Sequence, residues 1–316
     1  MSRRRSGQRR SGVWFALPWL IGLGLLYVGP MLASALLAFA HWDGMSDASL
    51  GWAGGENFRL IANDAHLTNA LVNSVCYTAM NVPAQLVAGL GLALLVRHAR
   101  GRTGLWATLY YMPHVLGGVA TILIWWWLLN PQVGPINRGI QLLYDVIDAP
   151  LRAVGGSGTE SWAPPPWLYS PTWAKPSLVL MNLWQAGGGM LVFLAALLRG
   201  GDGLHDAAKL DGAGVLRRFW HVTLPQVSPA ILFNLVTGVV FSMQAFSQPF
   251  LLRNFQQQDS LLFYALYMYQ TAFERHRFGY AAAQAWVLLA VLLLFTAATV
   301  VVSRRWVFYE MDEEGS

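Results

Sequence analysis

The sequence carries little charge: Asp, Glu, Lys and Arg make up 12% of its 316 residues, about half the ~25% usual in a soluble domain. Apolar residues reach 55%, with a mean hydropathy of +0.41, a balance that suits a chain dissolved in lipid. Cysteine is almost missing. Cys76 stands alone, so neither an intramolecular disulfide nor a thiolate metal cluster can form. Lysine occurs only as Lys175 and Lys209, neither preceded by glycine, whereas the phosphate cradle of a P-loop needs GxxxxGK[ST]. Energy from nucleotide hydrolysis would therefore have to arrive through contact with another chain. No HExxH pattern is present, and no metal site is expected. The net charge of +5 could draw nucleic acid, but the arginines are scattered between apolar runs. Topology explains them better, and no nucleic-acid partner is expected.

A lipid core of about 30 Å takes roughly 20 apolar residues in a helix. Six windows free of Asp, Glu, Lys and Arg meet that length, at 11–42, 67–96, 103–136, 176–198, 219–252 and 278–303. A seventh run, SLLFYALYMYQTAF at 260–273, has 14 residues and reads as interfacial or re-entrant. The first window follows MSRRRSGQRR and is about twice the 7–15 residues of a signal-peptide core, which predicts a retained helix. The 15 tryptophans and 11 tyrosines suit two aromatic interface belts. Of the 21 Lys and Arg residues, 14 fall on the side that holds both tails, the loop at 97–102 and the stretch at 199–218. The excess of positive charge on cytoplasmic loops then puts both termini in the cytoplasm. On the opposite side the loop from about 130 to 171, with GGSG and APPPW inside it, is predicted to be irregular backbone.

No charged residue lies in the middle of a span, where proton relays and most ion-coupled carriers keep one. His114, in YMPHVLGG, comes nearest, and its plain reading is a neutral imidazole bonded to a neighbouring helix. The uncharged polar residues in mid-span are Asn81 and Gln85, four apart in the second, Asn182, Trp184 and Gln185 in the fourth, and Ser242, Gln244, Ser247 and Gln248 in the fifth. Amides and tryptophans suit a carbohydrate, which offers hydroxyls to bond and ring faces to stack on. The same groups also serve as glue between helices, and both readings stand.

Residues 205–225, HDAAKLDGAGVLRRFWHVTLP, form a polar insert between the fourth and fifth windows. Asp202 can cap a helix whose first turn holds Asp206, where acids are favoured. Ala207 and Ala208 leave a small surface for another backbone to approach. Gly212 and Gly214 loosen the chain after about two turns, so a second short helix can leave there. Leu224 and Pro225 open the next span, since proline fits a first turn. The expected product is a short cytoplasmic helix with one face offered to a partner. An ordinary amphipathic loop on the membrane surface is the competing reading.

The insert resembles the EAA loop of binding-protein-dependent ABC importer permeases. Asp206, Ala207 and Ala208 stand for E-A-A, with Asp in place of the usual Glu and so a shorter reach. Asp211, Gly212 and Ala213 match the D-G-A, and Leu224 and Pro225 the closing L-P. GGENFRLI, NSVCYTAMNVPAQLVAGLGLALLV, YMPHVLGGVATILIWWWLLNPQVGPIN and FGYAAAQAWVLLAVLLLF are similar to further stretches of sugar-importer permeases of the maltose and glycerol-phosphate type, from roughly residue 54 to 303. The FSQPFLLRNFQQQ region departs from the Gly-rich loop usual there.

The resemblance implies an all-α, polytopic type I ABC importer permease with six transmembrane helices and a cytoplasmic coupling helix. Residues 1–12 are then a basic tail, 13–41 the first helix, 69–303 the permease domain with the coupling helix at about 204–215, and 304–316 a second tail. It also implies a bacterial inner-membrane subunit with no catalytic residue and no cofactor of its own, ATP and magnesium belonging to partner ATPases. The implied partners are a second homologous permease, two ATP-binding cassette ATPases, an extracytoplasmic solute-binding protein and membrane lipid. A permease for another small solute such as a peptide or polyamine stays open, as does a channel working alone. A membrane-embedded enzyme would need paired acids, a metal set or a nucleophile dyad, and the sequence shows none.

Overall fold

The computed structural model describes residues 16–46, 49–99, 101–153, 164–199, 203–253 and 259–307. Hydrocarbon cannot bond a peptide group, so a spanning chain must close its backbone hydrogen bonds within helices. Among the described residues four helices are long and apolar enough to cross: Ala16–Leu37, Ala65–His98, Ser228–Leu252 and Phe278–Ser303. Two bent pairs complete the set, Thr103–Val115 with Gly118–Leu128 and Pro171–Leu183 with Gly187–Arg199. They fall in the six windows, in order, and are called spans one to six below.

The breaks have local causes. The two halves of span three meet at 89°, because Leu116 and Gly117 leave the helix with extended ψ of 133° and 139°. The halves of span four meet at 50°, just before Gly187, Gly188 and Gly189. Span five loses its regular helix between Met243 and Ser247.

Helix does not continue to 136 in the third window. It stops at Leu128, where the Asn130 Oδ1 accepts the backbone N–H groups of Gln132 and Val133 at 2.9 and 3.1 Å. The buried Asn137 accepts from the Trp167 Nε1 at 2.6 Å and donates to the Pro131 carbonyl at 3.3 Å. The NPxxGxxN stretch is thus a helix stop tied into the structure around it. The outer loop corrects an expectation. Residues Pro135–Ala153 form a helix, because Ile136, Ile140, Leu143, Ile147 and Leu151 recur at helical spacing. Pro135 stands at the first helical position, where proline is favoured. The GGSG lies outside the described residues. The short run at 260–273 does contain a short helix, Tyr264–Tyr269, continued by a π-helical turn at Gln270–Glu274.

The chain divides into two compact units, residues 1–65 with 267–293 and residues 66–266 with 294–316. In the first, the antiparallel strand pair Ala40–His41 and Gly51–Trp52 follows span one. Asn57, 1% exposed, donates to the carbonyls of Ala38 and Ala40, both at 3.0 Å. Those carbonyls lie just past the end of the helix, where intrahelical partners run out. In the same unit the Asp64 carboxylate accepts from the hydroxyls of Tyr267 and Tyr280 at 2.8 and 2.7 Å. Among the described residues the second unit holds an apolar cluster around Tyr77, Leu178, Met181 and Phe263 and another around Val96, Met190, Phe193, Leu197 and Val227.

Asn57→Ala leaves two buried carbonyls without a donor, each group costing about 1–3 kcal/mol. We expect a lower unfolding temperature for the detergent-purified protein. Glu56→Gln, which removes only the exposed His41–Glu56 pair at 3.0 Å, should shift it little. Equal midpoints for Asn57→Ala and the parent would contradict the tether.

Candidate functional site

Spans two to five of the second unit enclose a cavity of about 870 Å³. Its polar wall carries Tyr77, Asn81 and Gln85 from span two, Tyr111 and His114 from span three, Asn182 and Gln185 from span four, and Asn234, Ser242 and Gln248 from span five. Among the described residues, no Asp, Glu, Lys or Arg lines it. Seven of the nine residues picked from the sequence, Ser247 among them, therefore meet at one cavity. Trp184 and Gln244 do not line it: Trp184 packs edge-on against Trp125 with ring centroids 6.0 Å apart, and Gln244 is exposed.

The amides bond to one another. Asn81 Nδ2 donates to Ser242 Oγ at 2.9 Å, and Asn182 Nδ2 donates to Asn81 Oδ1 at 3.2 Å and to the Tyr77 hydroxyl. Gln248 Nε2 donates to Asn182 Oδ1 at 2.8 Å. Tyr77 and Asn234 were not picked from the sequence, yet helical spacing marks both. Tyr77 precedes Asn81 by four residues and Asn234 precedes Ser242 by eight, the interval of one helical face.

His114 departs from its plain reading. Among the described residues its ring nitrogens have no hydrogen-bond partner; the ring lies 5.3 Å from that of Tyr111 and faces the cavity. Glycine makes room for it, since a Cβ at Gly188 would stand 2.8 Å from its Cε1. At Gly187 a Cβ would overlap the Tyr110 carbonyl, and at Gly189 it would come 3.2 Å from the Asn234 Oδ1. The three glycines both bend span four and let spans three and five approach it.

The polar insert forms a helix at Gly203–Leu210 with Asp206 in its first turn; Asp202 lies outside the described residues. It ends at Leu210, short of the expected 215, because Gly212 adopts φ +76°. The Gly212 N–H bonds the Lys209 carbonyl at 3.0 Å and the Ala213 N–H the Ala208 carbonyl at 2.9 Å, the paired bonds of a Schellman end. Asp206 pairs with Lys209 at 2.6 Å on the exposed surface. Helix resumes at Val215 and runs through Phe219–Thr223 and Leu224–Gln226. It is bridged into span five by the bonds Val227 N–H to Thr223 O at 3.1 Å and Ile231 N–H to Val227 O at 2.9 Å. The Pro225 carbonyl accepts from the Ser228 hydroxyl at 2.7 Å. Hydrogen-bonded backbone thus runs from residue 215 into span five.

Nothing lies within 4 Å of a Cβ placed on Gly212, so a substitution there is opposed by backbone strain alone, about 1–2 kcal/mol. Gly212→Val should speed deuterium exchange at the Gly212-position and Ala213 amides, while Gly212→Asn, which tolerates this conformation, should keep most of the protection. Equal exchange in the two variants would rule out this helix end.

Comparison with known proteins bears on the whole arrangement. Over 308 residues the chain is 32% identical to YesP of Bacillus subtilis, a probable ABC transporter permease protein, covering 96% of this chain and 94% of that one. It is 27% identical to LacF of Rhizobium radiobacter, a lactose transport system permease protein, covering 90% and 91%. A bacterial ABC transporter involved in import of the acidic polysaccharide alginate shares the fold, with a TM-score of 0.76 at 21% identity over 96% of this chain and 99% of that one. Residues 60–307 match the family model for the inner membrane component of binding-protein-dependent transport systems. With that match spanning spans two to six and the polar insert, this multi-pass membrane chain belongs to the family of binding-protein-dependent transport system inner membrane components.

Proposed function

We propose that the chain is the permease subunit of an ATP-driven importer for a carbohydrate. It supplies half of the translocation path, a second homologous permease supplies the other half, and an extracytoplasmic binding protein delivers the solute. Two ATPase subunits, which hold ATP and magnesium, work from the cytoplasm, where both termini of this chain lie. The observation that carries the reading is the continuous hydrogen-bonded run from Val215 into span five. It gives a surface segment mechanical hold on the wall of the cavity.

The coupling segment has the look of an uncovered interface. Leu210 is 90% exposed and Val215 76%, with Leu204 and Leu216 also exposed. Apolar side chains gathered on one cytoplasmic segment mark a surface that a partner covers. Ala207 and Ala208 keep it low, and Asp206, Asp211, Gly212, Ala213, Leu224 and Pro225 complete the element that docks and transmits.

The cavity supports a neutral, hydroxylated solute. Asn81, Gln85, Asn182, Gln185, Ser242 and Gln248 make its wall one of amides and a hydroxyl, while Phe233, Phe241 and Phe246 on the same wall offer faces on which a sugar ring can lie. Trp184 and Gln244 drop out of the path. A polyamine would call for carboxylates and an anionic peptide for basic groups, and among the described residues the lining has neither. Relatives named for lactose and for sulfoquinovosyl glycerol transport agree with a carbohydrate.

Truncating one member of an interfacial charge pair leaves the other unpaired, typically costing 2–5 kcal/mol. Asp206→Ala should therefore reduce co-purification of the ATPase subunits, or leave them bound with transport uncoupled, while Asp206→Glu should be tolerated. Full solute uptake by the alanine variant would refute this coupling role. Flux through the chain alone in liposomes, with no ATPase present, would favour a stand-alone facilitator instead.

A further inference from the structure

If the cavity is the solute path, its polar groups fall into two sets. The Asn182 amide is engaged on both ends: Nδ2 donates to the Tyr77 hydroxyl and to Asn81 Oδ1, and Oδ1 accepts from Gln248 Nε2. An amide has two N–H donors, and both are used. Gln85 and Gln185 line the same cavity, and among the described residues their side chains have no hydrogen-bond partner.

The engaged set sits at the helix breaks. Asn182 is the last residue but one of Pro171–Leu183, just ahead of the 50° bend in span four. Ser242 is the last but one of Ser228–Met243, and Gln248 is the second residue of Ser247–Leu252, so the two flank the interruption in span five. Tyr77 and Asn81 lie one turn apart on Ala65–His98, which runs through without a break. A single amide cluster thus fastens the bend of span four, and both sides of the interruption in span five, to one continuous rod.

We propose that Asn182 is a positioning residue, which holds the breaks of spans four and five against span two, and that the solute is bound by the unengaged amides Gln85 and Gln185. The inference rests on the permease reading above. Breaks in packed helices are where hinge motion is absorbed, and a cluster that spans them stabilises the conformation in which it forms. Span five is continuous with the coupling segment, so loosening the cluster lowers the resistance that the ATPases meet and lets them cycle without solute.

The test is the basal ATP hydrolysis of the complete transporter in nanodiscs, with no sugar or binding protein added. Asn182→Leu removes all three bonds, and Tyr77→Phe removes only the hydroxyl. Losing one interhelical bond of average strength, ~0.6 kcal/mol, corresponds to about threefold. We expect basal hydrolysis to rise about threefold in Tyr77→Phe and further in Asn182→Leu. A purely structural role lowers activity and a solute-ligand role leaves the solute-free rate alone, so an unchanged or reduced rate in Tyr77→Phe overturns the proposal even where Asn182→Leu fails to assemble. Failure of the permease reading itself shows in the parent chain, which would then form no complex with ATPase subunits.

Discussion

Hydrocarbon offers a polar group nothing to bond with, and most of this structure follows from that constraint. Peptide groups must be satisfied within the chain, hence six helical segments whose lipid-facing stretches carry no charge. Departures from helix are tolerated where they are packed in protein or line a cavity. The breaks in spans three, four and five meet that condition, because His114, Asn182, Gly188, Ser242 and Gln248 beside them all line the same enclosure. Irregular backbone and polar side chains have been gathered in one place.

The same constraint shapes how force can enter. In the proposed function the ATPases act on the chain from outside the lipid, at its surface. The surface segment at 203–226 is joined to span five without a flexible joint, apart from the turn at Gly212. That turn is itself closed by two backbone bonds, so it sets an angle and adds little slack. Glycine serves here as a means of rigid redirection. In span four the glycines act differently, by letting neighbouring backbone and the His114 ring approach to distances a side chain would forbid.

Motifs first noticed as strings acquire physical reasons in the fold. In GGENF, Asn57 closes the carbonyls past the end of span one. In LLNPQVGPIN, Asn130 stops a helix and Asn137 ties the stop to Trp167. A Cβ at Gly134 would come 2.8 Å from the Asn130 nitrogen, which is why this turn takes glycine. Each of these polar side chains completes a hydrogen bond that the backbone cannot complete by itself.

Much of this was legible in the residues alone, because hydrophobicity and helix termination are local. Runs without charge located the six spans, the polar insert between the fourth and fifth located the short surface helix at Gly203–Leu210 and the turn after it, and helical spacing placed Asn81 and Gln85 on one face. The helix at 135–153 was equally local but was obscured by proline and glycine at either end. What distant residues do to one another was not legible. Nothing in the chain order says that Asn182 meets Tyr77 and Gln248, that Trp184 turns to Trp125, or that Gln85, Gln185 and His114 face a cavity without a hydrogen-bond partner among the described residues. Those outcomes depend on where bent helices come to rest against each other, and only the tertiary packing decides that.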